Sequence, residues 1–170
     1  YNAQIAVDDE SQIIVAVLLT QSPNDARQLV PMAKAITANV GQLAKITSAD
    51  AGYFSAQNVD HHALAATNLL VPPDRQKHGQ QPTDLPVPDN ASTAQRMRSK
   101  LSSAEGRELY KQRKAIVEPV FGQIKEARGL RRLLLRGLSS ASAEFNLIAL
   151  THNLLKLFRS GARVALPLAA

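Results

Sequence analysis

Cysteine is missing from all 170 residues, which excludes disulfides, thiol nucleophiles and thiolate zinc centres. Long hydrophobic runs are missing too. The longest, "IIVAVLL" at 13–19, is far too short to cross a bilayer, and no amino-terminal segment has the make-up of a secretory signal. A cytoplasmic location is expected. The sequence also lacks an initial methionine and opens inside what reads as a strand, as a piece of a longer protein would.

Acidic residues are scarce in one half of the chain. Residues 1–95 carry five Lys/Arg against nine Asp/Glu, a net −4, whereas residues 96–170 carry fifteen against five, a net +10. A basic half of that size suggests a polyanionic partner, most commonly nucleic acid. A solvated basic face is the plainer reading of the same charges. With 45% hydrophobic and 20% charged residues, the chain has the composition of one globular domain rather than of a disordered segment.

Periodicity then gives an order of elements. "YNAQIAV" alternates polar and apolar residues, "DDES" breaks the pattern, and "QIIVAVLLT" follows as a β-branched apolar run, which predicts a hairpin. Ser22 as a cap, Pro23 at the first helical position, Asp25 three residues after the cap and Gly41 as a stop predict a helix over 22–41, bent at Pro31. "LAKITSAD" reads as a strand ending at Asp50, "SAQNVDHHALAATN" as a helix capped by Ser55, and "LLVPP" as a further strand. Residues 74–93 are rich in Pro, Gln, His and Asp, and are expected to form a loop or partly disordered insertion. Beyond them, "TAQRMRSKL", "SAEGRELYKQRKAIVEPVFGQIKEARG" and "SASAEFNLIALTHNLLKLFR" are helical patterns. The sum is α/β: a mixed sheet flanked by helices, with a helical carboxyl-terminal part.

Asp50 is a lone carboxylate at a strand end, followed by the small-residue turn of "SADAGYFS". Phosphoryl transfer on a nucleic-acid backbone commonly uses metal ions clamped by carboxylates at strand ends and on an adjacent helix. Glu118 is the candidate that answers Asp50. On a helical wheel Tyr110, Phe121, Lys114, Lys125 and Glu118 fall within an arc of about 80°. Leu109, Ile116, Val117, Val120 and Ile124 form a separate apolar face. The plainer alternative is an exposed face on which Lys114 and Glu118 make an i,i+4 ion pair. Pro119 either bends this helix beside Glu118 or opens a new one there.

"YNAQIAVD", "SADAGYFS" and "YKQRKAIVEPVFGQIK" followed by "RGL" resemble the catalytic region of bacterial insertion-sequence transposases of the DDE class, which have a ribonuclease-H-like fold. The resemblance runs over nearly the whole chain, so that residues 1–170 would be part of one catalytic domain. It implies that Asp50 is the second catalytic acid and Glu118 the third, the Glu of a Tyr-Arg-Glu-Lys pattern completed by Tyr110, Arg113 and Lys125. It also implies Mg²⁺ or Mn²⁺ held by Asp50 and Glu118, and DNA partners, the inverted-repeat ends of a transposon and the target DNA, with Tyr110, Arg113, Lys114 and Lys125 as DNA-binding residues. The reaction would be cleavage at those ends and strand transfer of the freed 3′-hydroxyl, by a homodimer in a synaptic complex, associated with the nucleoid and with no membrane.

Two departures from the family pattern stand out. Arg113 lies one residue too far from Glu118, while Lys114 has the expected spacing. On the wheel Arg113 falls in the apolar face, which favours a buried pair over a phosphate contact. The family's first catalytic Asp, with the strand that carries it, lies upstream of Tyr1 and is not in this sequence. None of Asp8, Asp9 and Asp25 has its motif context. The chain alone is therefore expected to be inactive. A non-enzymatic DNA-binding remnant is the alternative, and a structure-specific nuclease on the same fold a third reading.

Arg128, Arg131, Arg132 and Arg136 in "RGLRRLLLRG" are candidate phosphate contacts, or cations lying over apolar surface. "VDHH" (Asp60, His61, His62) is read as surface rather than as a metal site, because adjacent histidines on a helix diverge by about 100°. His152, within an apolar helical run, is expected at the edge of the core, and Tyr53 beside Asp50.

Overall fold

Two antiparallel strands form first in the chain, β1 (Asn2–Val7) and β2 (Ile14–Thr20). They pair from Asn2 opposite Thr20 to Val7 opposite Ile14, with a bulge between Ala6 and Val7. This computed structural model describes residues 1–74 and 87–161. A helix, α1 (Leu29–Val40), follows the hairpin and ends at Gly41, whose φ of 85° gives the left-handed cap that glycine adopts without cost. Then come β3 (Ile46–Ser48), a 3₁₀ turn at Ala51–Tyr53, the one-turn helix α2 (Ala56–Val59) and β4 (Asn68–Leu70). Three longer helices complete the described chain: α3 (Thr93–Ser102), α4 (Ala104–Gly122) with a π turn at Gln123–Ala127, and α5 (Leu138–Ser160).

Several predicted boundaries move. The first helix starts at Leu29 rather than near Ser22, whose hydroxyl donates to Asn24 O instead of capping. Pro31 thus falls in the first turn of α1, where the missing N–H costs no helical bond. Ser55 does cap a helix, accepting from Asn58 N–H, but that helix stops at Val59; His61 then caps a separate 3₁₀ turn at His62–Leu64. The strand before Asp50 ends at Ser48. The insertion expected at 74–93 lies largely outside the described residues, and α3 begins at Thr93 behind a capping box of Ser92 and Gln95.

The larger difference is in the sheet. β3 pairs in parallel with β4 and β1 antiparallel with β2, but among the described residues the two pairs share no ladder. Between β1 and β3 runs a groove of about 930 Å³, lined along its length by Asn2–Asp9 and by Leu43–Asp50, with α1 residues Leu29, Met32, Ile36 and Val40 on one wall and α4 residues Leu109, Arg113, Ile116, Val117 and Phe121 on another. Each sheet therefore turns an unpaired edge into one trough, and unpaired edges recruit further strands. The architecture is mixed α/β, with small sheets and a helical carboxyl-terminal part. It is compatible with a ribonuclease-H-like fold without its first strand.

The core lies on both sides of that gap. Ile14, Val120, Ile124, Phe145, Ile148 and Ala149 join the hairpin to α4 and α5. Leu29, Ala33, Leu64, Leu69 and Val71 join α1 to the β3–β4 pair. Each such buried side chain contributes on the order of 1.5–3 kcal/mol. α5 is also bolted to β2 by polar contacts: Asn153 accepts from Ile14 N–H and donates to Ile14 O, both at 2.8 Å, and the buried His152 donates to Gln12 O at 3.0 Å.

Gln12 is the hinge of this arrangement. Its φ of 56° is left-handed, unusual for a residue with a β-carbon. Its amide donates to Ala115 O at 3.2 Å, the carbonyl four residues before Pro119 that the proline cannot serve. Its side-chain oxygen accepts from Lys156 Nζ at 2.8 Å. Pro119 consequently sits inside a continuous α4 instead of opening a new helix. Equilibrium urea unfolding is expected to show Gln12→Ala destabilised by about 1–3 kcal/mol. Gln12→Gly should lose less, because glycine relieves the left-handed backbone. Equal loss in both variants would mean that the φ carries no strain.

Candidate functional site

β3 ends two residues before Asp50, which opens the 3₁₀ turn Ala51–Tyr53: its carboxylate accepts from Ala51 N–H at 3.1 Å, and its carbonyl from Tyr53 N–H at 3.0 Å. The short turn "AGY" is what throws the Asp50 carboxylate out at the head of the groove. α4 passes beside it and brings Arg113, whose guanidinium lies 3.5 Å from Asp50 Oδ1. The Arg113 side chain is only 16% exposed while that of Asp50 is 62% exposed. The pair is thus anchored in the helix packing, and one side of the carboxylate stays open to solvent. Arg113 also lies over the ring of Tyr110, 5.4 Å from its centroid.

Asp25 belongs to the same cluster, although it lies in the turn before α1. Its Oδ1 accepts from Asn2 Nδ2 and from Gln4 Nε2 at 2.8 Å in the latter case. Glycine at 52 lets the Asp50 turn approach, since a β-carbon there would stand 3.3 Å from Asp25 Oδ2. Both carboxylates act on Tyr53. Its hydroxyl is pushed up to about 12, first by burial, then by the charge of Asp25 and then by that of Asp50. Burial likewise raises the Tyr110 hydroxyl, with Asp50 adding to it and Arg113 opposing. Asp25 lacks the motif context of a catalytic acid in the sequence. The usable signal was the strand itself: Asn2 and Gln4 lie two apart in "YNAQIAV", on one face of β1, and Gln4 is buried, so both require a polar partner there. Gln4 Oε1 remains buried without a partner among the described residues.

Glu118 is exposed on α4, and no ion pair with Lys114 is formed. The plainer account of these two residues as an i,i+4 bridge does not describe them. Val117 and Phe121, on either side of Glu118, line the groove. Lys125 stands over the Phe121 ring at 5.1 Å in the π turn that ends α4. Asp50 and Glu118 are carboxylates, the hard oxygen donors that Mg²⁺ and Mn²⁺ prefer. They fit a divalent ion in kind but not in number, because the described residues hold no group of three metal-binding side chains.

The arginines separate into two groups. Arg128 is half-buried and donates to Ile148 O and to Thr151 Oγ1, so it braces the start of the loop against α5. Arg131 pairs with Glu126. Arg131, Arg132 and Lys125 share the wall of a second cavity, of about 810 Å³, whose floor is Ile124, Phe145 and Ile148 and which Phe121 joins to the groove. Arg136 and Lys114 are exposed. His61 and His62 stack at 4.3 Å and belong to no metal-binding group. His152 lies fully inside the core rather than at its edge. No helix among the described residues is long and apolar enough to cross a membrane.

A family model described as the transposase DDE domain matches residues 1–154. No curated protein and no solved structure matches the chain.

Folded-state protonation of Tyr53 sets a pH limit. Because its hydroxyl is raised from 10.0 to about 12, the folded state binds more protons than the unfolded state between those values. Its contribution is whole below pH 10 and is lost as pH rises toward 12. Ultraviolet titration of tyrosinate should show Tyr53 moving back toward 10.0 in Asp25→Asn. An unmoved titration would remove Asp25 from the cluster.

Proposed function

The chain belongs to the transposase DDE-domain family, and from that premise we propose that it carries two of the three carboxylates of a DNA-cleaving and strand-transferring site, Asp50 and Glu118. The observation that supports this most is the groove between β1 and β3, with Asp50 at its head and α4 along its wall. A strand seated there, carrying the first acid, would complete both the sheet and the ligand set. A divalent ion, Mg²⁺ or Mn²⁺, when bound supplies charge neutralisation at the scissile phosphate and acidifies the attacking hydroxyl or water.

The chain's own residues do the rest of the work. Asp50 and Glu118 would hold the ion. Arg113 keeps the Asp50 carboxylate oriented, and the Tyr110 ring keeps Arg113 in place. Lys125, Arg131 and Arg132 form a basic rim next to the groove, where they would bind the phosphates of transposon ends and target DNA; Lys114 and Arg136 add exposed charge. Such contacts position the duplex without reading its sequence. Arg128 is turned toward α5, which makes it a brace rather than a phosphate ligand. In this reading the intact protein cleaves transposon ends and joins the 3′-hydroxyl to target DNA as a pair of copies, and residues 1–170 by themselves are inactive.

The incomplete set of acids favours one second reading, a DNA-binding remnant without chemistry. Metal and DNA titrations separate the two. Duplex affinity measured by fluorescence anisotropy should fall steeply with salt, and Lys125→Ala or Arg132→Ala should each lower the log–log slope by about one. Mn²⁺ affinity, read by paramagnetic line broadening, should weaken in Glu118→Gln. Salt-dependent DNA binding with Mn²⁺ affinity untouched by that substitution leaves the remnant. Salt-independent binding removes both.

A further inference from the structure

α5 buries one face and leaves the other uncovered. Ala141, Phe145, Ile148, Ala149 and His152 point into the core. On the opposite side Leu147, Leu150, Leu154 and Leu157 are between 40% and 59% exposed, and Phe158 is 85% exposed. The leucine spacing is three, four, three, the a/d rhythm of a coiled-coil seam carried over two heptads. Ser140 and Ala143 continue the same rhythm toward the amino-terminal end, where their small side chains allow close approach.

We propose that this stripe is the surface on which a second copy of the chain packs. Three observations choose that occupant. The stripe is nearly palindromic: in an antiparallel crossing at the level of residue 152, Leu147 meets Leu157 and Leu150 meets Leu154, and a parallel pairing sets each leucine on its own counterpart. Either direction gives the self-complementary contact that a two-fold axis requires. The flanking positions Asn146, Thr151, Asn153 and Ser160 are uncharged, and Glu144 alongside is held by the backbone N–H groups of Leu134 and Leu135. The charges beside the seam are therefore few: Arg128, held on Thr151 Oγ1, and Glu144 of the opposite sign. The five apolar residues expose about 500 Å² per copy, so complete burial on pairing withdraws about 1,000 Å², the size of a weak, reversible interface.

The inference gives the two-copy assembly of the previous section its contact surface, but its test involves neither DNA nor metal and so fails separately. Sedimentation velocity on the full chain over micromolar concentrations should show a monomer–dimer equilibrium. Leu150→Glu with Leu154→Glu should shift it at least tenfold toward monomer, with far-UV circular dichroism unchanged because both side chains are exposed in one copy. Gln57→Glu, a charge added on α2, should leave it alone. A wild-type chain that stays monomeric, or a dimer as strong in the leucine variant as in wild type, would overturn the proposal.

Discussion

Gln12 does more for this structure than its place in a hairpin turn suggests. Its left-handed backbone closes the turn, its carbonyl receives His152, its side-chain oxygen receives Lys156, and its amide serves the carbonyl that Pro119 leaves open. Two helices, α4 and α5, are thereby fixed to one residue of the hairpin turn. The consequence reaches the candidate site, because Pro119 is the neighbour of Glu118 and the same helix carries Arg113 to Asp50. A proline in mid-helix ordinarily costs about 3 kcal/mol and bends the axis. Here the freed acceptor has a partner, and α4 runs on to Gly122.

A second constraint is the division of the sheet. Backbone groups at a strand edge need partners or water, and β1 and β3 present such edges to the same trough. The apolar walls contributed by α1 and α4 mean that a segment entering the trough would be covered on both faces, as the central strand of a parallel or mixed sheet is. The carboxylates already gathered at its head, Asp50 and Asp25, are held by Arg113 on one side and by Asn2 and Gln4 on the other. That support is independent of any metal, because protein groups alone hold both carboxylates in place.

Element types were legible wherever one residue pattern dominated. The β-branched run of β2, the Gly41 stop, the Ser55 cap and the three late helices can all be read from local rules. Boundaries failed where tertiary contacts outweighed those rules. Ser22 spends its hydroxyl on Asn24, and Asp25 spends its carboxylate on Asn2 and Gln4, so neither starts a helix. The second helix breaks after Val59, where Asp60 accepts from Thr93 and pairs with Arg96 across the fold. The Asp50–Arg113 contact was half visible: the wheel put Arg113 on the apolar side of α4, but no local pattern could say which acid it would meet. No local pattern marks Asp25 itself, because its partners Asn2 and Gln4 are distant in sequence. The split sheet could not be read from periodicity at all, since period-two patterns say which face a residue takes and not which strand lies beside it.

The open groove between the two sheets is tested most directly by amide hydrogen exchange resolved by NMR. Along Asn2–Val7 the amides aimed at β2 should be protected, while the alternate ones aimed into the groove exchange like exposed amides, giving a period of two along one strand. Uniform protection of β1 would contradict an open groove, because it would mean that the edge is already paired and that no strand remains to be added.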